Sequence, residues 1–196
     1  MKKQICLLFF ISVTIFEGMC TSPQNKVDSI ESIRQAYNNC DYEVFFHLFP
    51  NSYSKFIEYY GYIKGEPMPL YFEAHKHIEY LVSGEICKRK LLEKLIEIAK
   101  DGIWEADAPS FLREALNGLI MEYPGILLQL LKEKNSKEIK SFWSFILYYP
   151  SLHPENDLQY KEKFRNIYTV IAARDVSMGR VISDIYDTIV NGGFDW

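Results

Sequence analysis

From Val27 to Ile189 the apolar residues of this chain return every third or fourth position, and proline, glycine or a small polar residue closes each run. That spacing is helical, because residues three and four apart share one face of an α-helix, whereas a half-buried strand alternates every second residue. No alternating run bounded by hairpin dipeptides competes with it. The expected fold is therefore all-α, an irregular bundle or a short array of antiparallel helix pairs with about eight to ten helices. No fixed period links successive pairs, which argues against a repeat solenoid.

The punctuation sets the element boundaries. Val27, Ile30, Ile33 or Arg34, and Tyr37 mark a first helix, with Asp28 and Glu31 spaced as a capping box. A short segment from Tyr42 to Phe49 stops at Pro50, and Ser52 caps a third helix that Gly61 ends. After the turn-rich stretch 62–69, a fourth helix is expected from Leu70 to Val82, closing at Gly84, and another from Ile86 to Lys100. Asp107 stands where an N-cap belongs, Pro124 suits a first turn, and Asn135 with Glu138 repeats the capping-box spacing. Two further stripes, Phe164/Ile167/Tyr168/Ile171 and Val181/Ile182/Ile185/Ile189, complete the chain, the first with Lys161, Glu162, Arg165 and Asn166 on its wet side.

The first twenty residues read as a leader. Lys2 and Lys3 precede an apolar run from Ile5 to Phe16, too short for the roughly 20 apolar residues of a membrane-spanning helix. Residues 1–20 are expected to be a signal peptide, 21–26 a polar tether and 27–196 a single helical domain. Gly18 and Cys20 satisfy the small-residue rule for a cut before Thr21. Lipidation of Cys20 is the other outcome, although Met19 is a poor residue directly before a modified cysteine. Export is expected in either case, to the periplasm or cell envelope with or without a lipid anchor, with free secretion as the alternative. The composition, rich in lysine, isoleucine and asparagine, suits a bacterial source.

Export leaves Cys40 and Cys87 as the remaining cysteines. In an oxidising compartment an even pair favours a disulfide, which would constrain the unfolded chain by about 4 kcal/mol; two buried thiols acting as small hydrophobes are the alternative. Loss of Lys2, Lys3 and Glu17 with the leader takes the net charge from −4 to −5. No basic stripe remains to release counterions from phosphates, which excludes nucleic-acid binding. Lys88-Arg89-Lys90 is the one dense basic run, and early in a helix it reads as a solvated face.

Three segments carry residues of chemical interest. In Glu73-Ala74-His75-Lys76-His77-Ile78-Glu79, Glu73 and His77 are four apart, as are His75 and Glu79, so each pair meets on one face. The histidines are two apart and diverge, the wrong spacing for joint zinc ligation from a helix, so solvated ion pairs are the expected role and no metal is expected. In the loop from Gly102 to Pro109, Trp104 beside Glu105 and Asp107 would line a pocket and raise the pKa of Glu105. Capping by Asp107 and core plugging by Trp104 explain the same residues more simply. Third, the helix through Trp143, Tyr148 and Tyr149, followed by His153, is too apolar all round for one buried stripe; it is either sandwiched between neighbours or presents aromatics to a partner.

The chain has no G-x-S-x-G elbow, phosphate-binding glycine loop or C-x-x-C pair. No motif in it carries a specific reaction, and no cofactor is expected. Two functions stay open. One is an exported, non-catalytic envelope protein that binds another macromolecule, for instance as an inhibitor or immunity-type protein acting on another protein, with Trp104, Trp143, Tyr148, Tyr149 and His153 as contact residues. The other is a hydrolase-like enzyme whose site is assembled from His75, Glu79, Glu105 and Asp107, which requires those side chains to converge on one concave pocket.

Overall fold

The computed structural model describes residues 23–103, 107–148 and 157–191. Among these residues the chain is all-α. Ten helices follow in order: α1 (Pro23–Asn38), α2 (Tyr42–Leu48), α3 (Tyr53–Tyr60), α4 (Ala74–Ser83), α5 (Lys88–Ala99), α6 (Asp107–Glu122), α7 (Pro124–Leu131), α8 (Ser136–Leu147), α9 (Leu158–Ala172) and α10 (Val176–Val190). No helix of the described residues is long and apolar enough to cross a membrane. The leader and Cys20 lie outside them.

Several boundaries sit where local chemistry puts them. The Ser52 hydroxyl accepts from the Lys55 backbone N–H, and Gly61 ends α3. Pro124 opens α7 in the first-turn position, where its missing N–H has no partner to lose. Asn135 and Glu138 form a reciprocal capping box: Asn135 Oδ1 accepts from the backbone of Lys137 and Glu138 at 3.0 Å, and Glu138 accepts from the Asn135 N–H at 3.1 Å.

Other boundaries differ from the sequence pattern. Helix α1 starts at Pro23, whose fixed φ suits a first turn, so helix replaces tether over Pro23–Lys26 and the Asp28/Glu31 spacing lies inside the helix. There Glu31 faces Arg34 at 3.7 Å instead of capping. The expected helix from Leu70 divides into a 3-10 turn, Tyr71–Glu73, and α4. The turn-rich stretch before it holds a small hairpin of β1 (Tyr62–Ile63) and β2 (Glu66–Pro67). Lys64 (φ 54°) and Gly65 (φ 85°) both adopt the left-handed conformation that a two-residue hairpin turn demands.

Helices pack in neighbouring pairs: α1 on α2, α2 on α4, α4 on α6, α5 on α7 and α8, α8 on α10, and α9 on α10. Helix α5 joins the two ends of the array, touching α3 on one side and α6, α7 and α8 on others. Leu91, Leu92, Leu95, Ile96, Ile98 and Ala99 are all buried as a result, a wider apolar face than one neighbour needs. The first half of the core is aromatic, built on Phe45, Phe49, Phe56 and Tyr60, whereas α5 to α10 bury mostly leucine and isoleucine. Gly179 lets α10 lie close on α9, since a Cβ there would stand 2.7 Å from that of Ala172.

Candidate functional site

The residues singled out by sequence disperse. His75 Nε2 meets Glu79 Oε1 at 3.4 Å as the spacing predicts, with both side chains more than half exposed. The His75 ring also lies on Phe111, with centroids 4.8 Å apart. Asp107 is the first residue of α6, and its carboxylate accepts from the Tyr71 hydroxyl at 2.6 Å. Trp104, Glu105, Tyr149 and His153 lie outside the described residues. Trp143, expected as a contact residue, is fully buried instead: its indole N–H reaches Met178 Sδ at 3.1 Å, because α8 is sandwiched between α5, α6 and α10. Tyr148 caps α8, half-buried, and its carbonyl accepts from Arg113 at 3.0 Å. Cys40 and Cys87, expected as a bonded pair, stand as free, exposed thiols at a left-handed turn residue and at the start of α5. Among the described residues no cluster of three or more His, Cys, Asp or Glu is placed to hold a metal ion.

His77 departs furthest from its expected role. Instead of pairing with Glu73 in solvent it is 1% exposed and shares a hydrogen bond of 3.0 Å between Nδ1 and the Tyr60 hydroxyl. Glu73 turns to Arg34, whose Nε donates to it at 2.8 Å. Burial drives the His77 pKa down to about 4, with the Arg34 charge assisting and Glu73 opposing, and burial pushes Tyr60 well above the ordinary tyrosine range. Both groups are thereby held neutral near pH 7. His77 lines a cleft of about 230 Å³ together with Arg34, Tyr37, Asn38, Glu73 and Lys76, and the chemistry of its contact with Tyr60 is that of a satisfied buried hydrogen bond.

The hairpin and the 3-10 turn place aromatic side chains at the surface. Tyr62 is nearly half exposed and its ring lies 5.6 Å from Tyr71, which in turn stands edge-on to Phe72 at 5.2 Å. Phe72 is 82% exposed, the most exposed large hydrophobic of the described chain. The Tyr71–Asp107 hydrogen bond ties this edge to α6.

A second concave surface lies between α6 and α9. Asn117 and Met121 from α6, and Gln159, Glu162, Lys163, Asn166 and Ile167 from α9, line a groove of about 300 Å³. The residues repeat at three and four on each helix, so the groove follows from the helices lying side by side. Asn117 Oδ1 is buried there with no hydrogen-bond partner among the described residues, as is Nε of Arg113 one turn earlier. Burial first and the Arg113 charge second push Lys163 down to about 8, against a smaller upward pull from Glu114. The sequence pattern did not single out Lys163 or Asn117. No protein-family model matches the chain, and neither the comparison with curated proteins nor that with solved structures finds a match.

Proposed function

We propose that this is an exported, non-catalytic envelope protein that binds another protein, with the hairpin and the 3-10 turn as its contact edge. Phe72 supports the reading most directly. A phenylalanine left in water forgoes about 1.5–3 kcal/mol of burial, and its edge-on contact with Tyr71, whose ring in turn meets Tyr62, makes one aromatic strip. Tyrosines are favoured as interface anchors because they bury a large ring and keep a polar tip, and the Asp107 carboxylate held on Tyr71 adds an acidic group suited to a basic partner surface. The open-surface pairing of His75 with Glu79, and of Asp107 with Tyr71, also weighs against the hydrolase-like alternative.

The experiment is a photo-crosslinking amino acid at position 72, compared in source cells with the same group at Tyr168 on α9. One discrete cross-linked protein from position 72, lost when Tyr62 and Tyr71 become alanine, is the expected result. Equal cross-linking from both positions, or none from position 72, overturns the reading.

A further inference from the structure

We propose that the α6–α9 groove is a site for small aldehydes and ketones, which Lys163 Nζ captures as an imine. The proposal goes beyond the protein-binding reading and uses a different face of the molecule, so either can fail without the other.

Two lysines of this chain share the same electrostatic condition, and comparing them shows that geometry makes the site. Burial pushes Lys94 and Lys163 alike down to about 8. Lys94 Nζ is committed: it donates to the Phe49 carbonyl at 2.6 Å and lies over the Phe46 ring, 5.0 Å from its centroid. Lys163 has no hydrogen-bond or ion-pair partner among the described residues and lines an open groove. The charges acting on it from α6 are Arg113 and Glu114, with Glu162 of its own helix on the groove wall; α7, which also touches α9, carries no ionisable side chain. At pH 7 a lysine with a pKa near 8 holds about one amine in ten unprotonated, against about one in several thousand for an ordinary lysine.

The chemistry balances without a co-reactant. The Nζ lone pair forms a bond to the carbonyl carbon while the C=O π pair moves onto oxygen, which takes a proton released by the nitrogen. The resulting carbinolamine then loses its hydroxyl together with the second N–H proton as water, leaving C=N. The carbinolamine O–H is a donor of the kind that buried Asn117 Oδ1 lacks, and the Gln159 and Asn166 amides flank the same space.

Propanal with sodium cyanoborohydride tests this on the purified full chain, with the labelled lysines located by peptide mass spectrometry. Lys163 is expected to be labelled at least about tenfold faster than exposed Lys132, at a rate that saturates with propanal and levels off above about pH 8, while Lys94 stays unlabelled. Lys163→Met removes the fast phase. Labelling of Lys163 no faster than Lys132, a rate strictly linear in propanal, or Lys94 keeping pace with Lys163 overturns the proposal. The rates on the unaltered protein decide it even where the substitution fails to fold.

Discussion

The aromatic half of the core and the aliphatic half are held in register by different means. In α1 to α4 the rings carry polar tips that fasten them to groups distant in sequence: Tyr42 donates to the Leu81 carbonyl, Tyr53 to that of Ile103, and Tyr60 pairs with the His77 ring. In α8 to α10, Asn135, Asp157 and Asp175 cap the helix starts, such a tyrosine tie recurs where Tyr160 donates to the Leu147 carbonyl, and isoleucines fill most of the core that α9 and α10 supply. Directional contacts fix shape at the level of single side chains, whereas capped helices fix shape at their ends and leave the interior to volume. The first half should accordingly be intolerant of change and the second forgiving.

The largest expected effect is at Phe45, which is fully buried and in ring contact with Tyr37, Phe49, His77 and Tyr80. Phe45→Ala should cost about 3–5 kcal/mol in urea unfolding, against less than about 1.5 for the volume-conserving Leu95→Met in the second half. Costs in the opposite order would break the contrast. Acid comes next. His77 has a folded pKa near 4 against 6.5 unfolded, so the stability from its neutral form is complete above pH 6.5 and is lost as pH falls from 6.5 towards 4. The integrated loss is about 3 kcal/mol, and Tyr60→Phe/His77→Phe should flatten that part of the pH dependence. A slope unchanged in the double variant would place the acid sensitivity elsewhere.

Asp175→Ala sharpens the second half of the contrast. It removes the acceptor for the Met178 N–H at the start of α10 and should cost about 1 kcal/mol, seen as a lowered urea midpoint with unchanged slope. Smallest of all, Phe72→Ala should shift stability by no more than about 0.5 kcal/mol, since the ring is mostly in water. A larger loss would mean that the aromatic strip belongs to the fold rather than to an interface.

The fold was legible where a boundary depends on one residue's own chemistry, as at Ser52, Pro124 and the Asn135/Glu138 box. It was not legible where two elements meet. The Glu73/His77 spacing permits an ion pair, but Arg34 on α1 draws Glu73 away and Tyr60 on α3 takes the imidazole inward, and no local pattern carries that information. Trp143 looked available to a partner because its helix is apolar all round; α5, α6 and α10 supply the neighbours that use every face. Lys163 was passed over for the same reason: its burial comes from α6 lying across α9. The available hint was its place on the margin of the Phe164/Ile167/Tyr168/Ile171 stripe, four residues before Ile167.

The near-contact of Gly179 with Ala172 bears on that lysine. Where Gly179 meets Ala172 neither helix can roll past the other without collision, the Phe164 ring stacked on Tyr186 at 3.7 Å holds the same two helices further along, and the short connection Ala173–Asp175 leaves little slack. The two behave as a keyed pair, so the direction in which α9 aims its outer face is inherited from where α10 seats against α8. A bulkier residue at position 179 would swing Gln159, Lys163 and Asn166 together, retuning the groove from its far side.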